Sequence, residues 1–117
     1  DYIIAMKGGT DVNVQFKKGV LELCVLVLVN KRDRYGYELV QEISDKFEIS
    51  EGAVYPLLRR LTKDEFFTTY LKKSTEGPSR KYYHITQSGR TYMEQLIEEW
   101  RMFSLGVNQI IKEGEEN

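Results

Sequence analysis

SEGAVYPLLRRL, residues 50–61, places Val54, Leu57, Leu58 and Leu61 at i, i+3, i+4 and i+7, the spacing of a single apolar helix stripe. Ser50 stands where an N-cap belongs, and Glu51 puts a negative charge in the first turn. The opposite face holds Gly52, Ala53, Tyr55, Arg59 and Arg60. Small residues at a helix start let the backbone approach a partner closely, and the N–H groups there favour a phosphate. Pro56 breaks the pattern, because it removes the bond to the Gly52 carbonyl at a cost of about 3 kcal/mol in a helix interior. A local rule broken in this way marks a functional or special packing position.

Upstream, two more helices are expected. QFKKGVLELCVLVLVN (residues 15–30) is apolar on most sides and too long for a strand, so it reads as a helix covered on several faces. Cys24 within it reads as a small core residue. KRDR (31–34) makes a polar turn with Asp33 as the N-cap of a second helix over about 35–47, whose inward side is Tyr37, Val40, Ile43 and Phe47. Residues 1–14 show no sustained period and read as an N-terminal arm; residues 1–5, ahead of Met6, are left out of the fold reading.

Downstream, FFTTYLK (66–72) and RKYYHIT (80–86) are aromatic and Thr-rich, the signature of strands, and the Gly77-Pro78 pair between them signals a turn. Strand alternation puts Lys81 and Tyr83 on one face and Tyr82 and His84 on the other. Thr86 is placed to cap a last helix. In that helix Met93, Leu96, Trp100, Phe103, Val107 and Ile110 are spaced 3-4-3-4-3, the seam of a pairing helix, with Gly114 as its stop.

Helix, helix, helix, hairpin, long helix is the order of a winged helix-turn-helix followed by a long helix, a mainly α fold. The domains expected are residues 15–86 for the winged helix-turn-helix and 87–117 for the pairing helix and its acidic tail. A major groove about 12 Å wide admits one helix, and the hairpin can reach the adjacent backbone. The expected contacts to double-stranded DNA are Tyr35, Ser50, Gly52, Ala53, Tyr55, Arg59, Lys72, Lys73, Arg80 and Lys81. Seam residues Met93, Leu96, Trp100, Phe103, Val107 and Ile110 would join a homodimer on a near-palindromic operator.

Charge supports this. The 117 residues carry 17 Lys/Arg against 18 Asp/Glu, yet residues 50–90 hold eight basic and four acidic side chains while residues 91–117 hold two and six. A basic middle beside an acidic tail marks a local anion-binding face. Composition (41% hydrophobic, 30% charged) is that of a globular chain. One cysteine excludes a disulfide framework and one histidine, His84, excludes a histidine metal cluster. The ten-residue apolar run Val20–Val29, broken by Glu22, falls short of the roughly 20 residues a spanning helix needs, and no secretory pattern opens the chain, so the expected compartment is the cytoplasm, away from the membrane. No G-x-S-x-G, HExxH or phosphate loop occurs, so neither enzyme activity nor a cofactor is expected.

EGAVYPLLRRL (51–61), GPSRKYYHIT (77–86) and RYGYELV (34–40) resemble the PadR family of bacterial winged-helix transcriptional regulators over roughly residues 16–112. The single C-terminal helix is similar to the short subfamily, whose members dimerise through it. The resemblance implies a cytoplasmic repressor that binds operator DNA. In some short members paired tryptophans stack planar aromatic ligands in the dimer cavity. Trp100 matches that tryptophan by its place on the last helix, with Phe103 beside it, which implies a small aromatic effector. The chain departs from the family pattern at Glu65, where a glycine usually follows the acidic residue after the third helix, and in lacking a tryptophan near the first wing strand.

Each signal has a plainer reading. Arg59 and Arg60 fit solvated helix charges, and Arg60 fits an acidic neighbour; Tyr35, Tyr55 and Trp100 fit packing. The alternative to DNA binding is a winged-helix module that docks a protein, against which the basic middle segment argues.

Overall fold

Val54, Leu57, Leu58 and Leu61 are all buried, and the helix that carries them, spanning Glu51–Lys63, is the centre of the core. The computed structural model describes residues 11–116, without the side chains of 11–18 and Glu51. The elements run α1 (Asp11–Lys31), β1 (Arg34–Tyr35), α2 (Gly36–Ser44), α3 (Glu51–Lys63), β2 (Phe67–Ser74), β3 (Gly77–Ile85) and α4 (Gln87–Glu115). The first ten residues of the expected arm lie outside the described residues, and α1 takes in residues 11–14, which the sequence reading left in that arm. Leu21, Val25, Leu26 and Val29 of α1 are buried, with Cys24 and Leu28 packed against them, so this helix is covered on several sides.

The second helix differs in phase from the expectation. Gly36, Leu39, Val40 and Ile43 face inward, whereas Tyr37 and Phe47 are exposed. Tyr35, not Asp33, is its N-cap, and Glu38 Oε1 accepts the Tyr35 N–H at 3.2 Å. Gly36 is small for a reason: a Cβ there would stand 2.6 Å from Cε1 of Tyr55, so the Tyr55 ring approaches the start of α2 closely and seats α3 against it.

Three antiparallel strands lie in the order β1-β3-β2. The two-residue β1, too short to announce itself in sequence, pairs Arg34 with Tyr83 and Tyr35 with Tyr82. In the hairpin Phe67 opposes Ile85 and Lys72 opposes Arg80. The turn is Thr75-Glu76, ahead of the expected Gly77-Pro78. The register shifts between Lys72 and Ser74, where Pro78, unable to donate to a ladder, is accommodated.

The end of α3 closes in a Schellman motif, with Phe66 N–H bonded to the Leu61 carbonyl and Glu65 N–H to that of Thr62. Glu65 occupies its left-handed position at φ 65°, the conformation that a glycine holds without strain. Thr86 then caps α4, its Oγ1 accepting the Gly89 N–H at 3.0 Å. The helix continues through Gly114 to Glu115 instead of stopping at that glycine.

Candidate nucleic-acid interface

The outward side of α3 is open where the sequence places its small residues. Ser50, Gly52, Ala53 and Arg59 are exposed. Ser50 has the extended backbone of an N-cap, but its hydroxyl does not cap the helix. Tyr55 is half-buried against Gly36 and acts in packing. Arg60 points away from this side: its guanidinium meets Glu22 Oε1 at 3.0 Å and Asp64 Oδ2 at 3.8 Å. Glu22 also accepts from the Tyr92 hydroxyl at 2.8 Å, so one carboxylate of α1 ties α3 to α4.

On the hairpin Lys72, Lys73, Arg80 and Lys81 are all exposed, and the first three line an open recess at the tip with Ser74, Thr75, Glu76 and Tyr82. Lys81 belongs to the other face, its ammonium 6.0 Å from the ring of Tyr83. Burial raises the Tyr83 hydroxyl pKa, nearby Tyr55 adds to the rise, and Arg59 opposes it. Tyr83 on the inner face of the wing thus feels the charge of the exposed Arg59 of α3.

The outer sheet face holds a tier absent from the sequence expectations as a group. Tyr35, Tyr82 and Tyr70 stand abreast, one from each strand. Tyr70 stacks on Tyr82 with centroids 5.6 Å apart, and Tyr35 meets Tyr82 edge-on at 5.4 Å. The alternation of TYLK and RKYYH carries the signal, because Tyr70 and Lys72 share a face, as do Arg80, Tyr82 and His84. Asp33, freed from capping, accepts from the Tyr70 hydroxyl at 2.6 Å and bonds His84 Nδ1 at 2.8 Å. Partial burial would raise the Asp33 carboxyl, but those two hydrogen bonds outweigh it and hold it below its ordinary range.

Arg34 was not singled out from sequence, yet it is the buried charge among the described residues, 2% exposed, with Nη1 bonded to Glu42. It fixes β1, and through β1 the wing root, to α2.

Two tyrosines provide a check at high pH. The hydrogen bond to Asp33, then desolvation, pushes Tyr70 up to about 12. Desolvation, then the bond to Glu22, pushes Tyr92 up to about 12. A folded-state value above the unfolded one means that stability is fully present below about pH 10 and is lost as pH rises toward 12. A tyrosinate absorbance titration is expected to show a late step that shrinks in Tyr70→Phe and again in Tyr92→Phe. A late step of full size in Tyr92→Phe would remove the Glu22 hydrogen bond from this account.

On α4 the expected seam divides. Met93 is buried in the core of its own chain and Leu96 packs on the same core. Beyond them Trp100, Phe103, Val107 and Ile110 are exposed, joined by Ile111. Trp100 and Phe103 are near neighbours, with ring centroids 6.4 Å apart. Among the described residues no helix is long and apolar enough to cross a membrane, and no group of His, Cys, Asp or Glu is arranged to hold a metal.

Several known proteins are similar to this chain. A protein of uncharacterised role from Lysinibacillus sphaericus is 40% identical over 87 residues, spanning 71% of this chain and 80% of its own. A PadR-like transcriptional regulator from Bacillus cereus superposes with a TM-score of 0.75 at 41% identity, covering 83% of this chain and 96% of its own. A protein from Streptococcus mutans superposes with a TM-score of 0.76 at 34% identity, covering 81% and 89%. The profile of the transcriptional regulator PadR-like family matches residues 25–95, which run from the core of α1 across the helix-turn-helix and wing into α4. The chain therefore belongs to the PadR-like family of transcriptional regulators.

Proposed function

We propose that the chain acts as a homodimeric, sequence-specific repressor, with α3 in the major groove and the wing on the flanking backbone. The observation that carries the reading is that the wing cations Lys72, Lys73, Arg80 and Lys81 are all exposed, as are the start of α3 and Arg59. Gly52 and Ala53 allow the backbone of α3 close to base edges, Ser50 offers its hydroxyl at the helix start, and Arg59 reads from about two turns further on. Lys72, Lys73, Arg80 and Lys81 neutralise phosphates and set register, with Tyr35 at the wing root. Tyr55 contributes by seating α3, and Arg60 is committed to Glu22. Two such heads joined through α4 suit a near-palindromic operator read in major grooves about 34 Å apart.

Each neutralised phosphate contributes a slope of about −0.9 to log affinity against log salt. Arg80→Ala combined with Lys81→Ala is expected to weaken binding to every sequence and to flatten that slope by nearly two per wing. An anisotropy titration against salt measures both quantities on duplexes recovered by genomic-fragment selection. An unchanged slope takes the wing out of the interface, and a chain that recovers no fragment at all while holding a protein partner returns the reading to a protein-docking module.

The apolar strip on α4 also suits a planar aromatic effector between Trp100 and Phe103 of paired subunits, placed to alter the spacing of the two heads. A coupling of about 1–3 kcal/mol would suffice to release DNA. Trp100 is the sole tryptophan, so its fluorescence reports the site directly. Saturable quenching by flat aromatic compounds is expected in the native chain and is expected to weaken in Phe103→Ala; quenching that never saturates rejects the effector.

A further inference from the structure

The basic side chains of the outer wing are not loose. Arg80 lies diagonally across from Tyr35, with its guanidinium carbon 4.6 Å from the ring centroid. Lys72 lies diagonally across from Tyr82, its ammonium 5.4 Å from that ring. These contacts are the diagonal neighbours that an antiparallel register creates, since Tyr35 opposes Tyr82 and Lys72 opposes Arg80. The rings themselves are held: Tyr82 is flanked by Tyr70 on one side and Tyr35 on the other, and the Tyr70 hydroxyl is fixed by Asp33. The Tyr35 backbone is pinned in turn as the N-cap of α2, with Glu38 accepting its N–H. The tier is therefore anchored to the helix-turn-helix at Asp33 and Tyr35, and it carries the two cations on its far side.

From this geometry we infer that Tyr35 and Tyr82 are positioning residues which preset Arg80 and Lys72 for the phosphate backbone. The inference rests on the DNA-binding reading above and sharpens it, because it assigns the contribution of Tyr35 to the Arg80 guanidinium and not to its own hydroxyl. A long cation loses rotamer freedom when it grips a phosphate, and a side chain already lying on a ring has lost much of it in advance. The tier also ties the direction of the outer-wing charge to α2, so that wing and α3 meet the duplex in a fixed relation.

The test uses the full chain and a fluorescein-labelled duplex of mixed sequence, whose binding reports phosphate contacts. Tyr35→Leu and Tyr82→Leu are each expected to weaken binding about three- to fivefold, the range of an exposed cation–π contact. Tyr35→Phe and Tyr82→Phe keep the ring and are expected to bind as the native chain does. In an Arg80→Ala background, Tyr35→Leu is expected to cause no further loss. The ring-current shift on the Arg80 side-chain protons, read by NMR without DNA, is expected to survive in Tyr35→Phe and vanish in Tyr35→Leu. Phe variants as weak as the Leu variants would show that the hydroxyls grip phosphate directly and would overturn the inference. An undiminished Tyr35→Leu loss in the Arg80→Ala background would overturn it as well. Arg80→Ala and Lys72→Ala without effect on duplex binding would instead remove the outer wing from the DNA reading, and this inference with it.

Discussion

Phe103→Glu with Ile110→Glu is expected to sediment as single subunits and to bind operator at least about 100-fold more weakly, because paired heads gain that much from effective concentration alone. Both side chains are largely exposed, at 61% and 70%, so the variant subunit keeps its own core. A pair of subunits would confront these carboxylates with an apolar strip and with one another, and an unpaired charge buried there costs several kcal/mol. Footprinting is expected to shrink to a half-site. A double variant that remains paired moves the subunit contact elsewhere on the molecule, and one that separates without loss of affinity shows that a single head suffices.

The second large effect comes from Gly89→Ala. A Cβ at Gly89 would stand 2.3 Å from the Phe66 carbonyl oxygen and 2.8 Å from Ile85 Cγ1. The first obstacle is backbone, so either α4 must lift or the wing root must give. Both movements break the Thr86 cap, whose Oγ1 bonds Gly89 N–H and the carbonyls of Glu65 and Phe66. A loss of about 3 kcal/mol is expected, the upper range of overpacking, or roughly 12 °C in Tm for a domain of this size. Gly19→Ala is the matched control: a Cβ at that helical site meets nothing within 4 Å, and the change is expected to gain about 1 kcal/mol. Thermal melts of the two variants should therefore move in opposite directions. A Gly89→Ala melt within a degree or two of the native one contradicts the close packing at this junction.

The elements that sequence reveals are those whose own pattern is complete. Val54, Leu57, Leu58 and Leu61 spell out α3 because every inward position is a branched aliphatic. Thr86 is legible as a cap because its hydroxyl acts within its own turn. The phase of α2 is harder to read because its stripe begins with Gly36, which has no side chain to count as apolar; its reason is the Tyr55 ring of another helix. Tyr37 and Phe47 share the helical spacing without sharing the core. Asp33 has the chemistry of an N-cap, but two partners from the hairpin, Tyr70 and His84, outcompete that local role, and no local pattern records them. Met93 reads as the first step of the seam, yet α4 spends its first turns packing on α1 and the wing root.

The cations follow the same division. Lys72, Lys73, Arg80 and Lys81 stand out by charge, and Arg59 by its place opposite the stripe. Arg60, adjacent to Arg59, is indistinguishable from it by type, and only the fold supplies Glu22 to claim it. Arg34 looks like one more polar turn residue. Its burial comes from β1, two residues long and defined by Tyr82 and Tyr83 some fifty positions away.

The rooting of α4 has a mechanical consequence. Because Thr86 and Gly89 clamp its first turn to the carbonyls of Glu65 and Phe66, the helix cannot swivel at its base without carrying the reading head along. Its 29 residues form a rod about 43 Å long, so a 10° change of tilt at one end sweeps the other by about 8 Å. A small molecule wedged beside Trp100, near the middle of that rod, would act with about half that leverage, and a hinge at the clamp would uncouple it from α3.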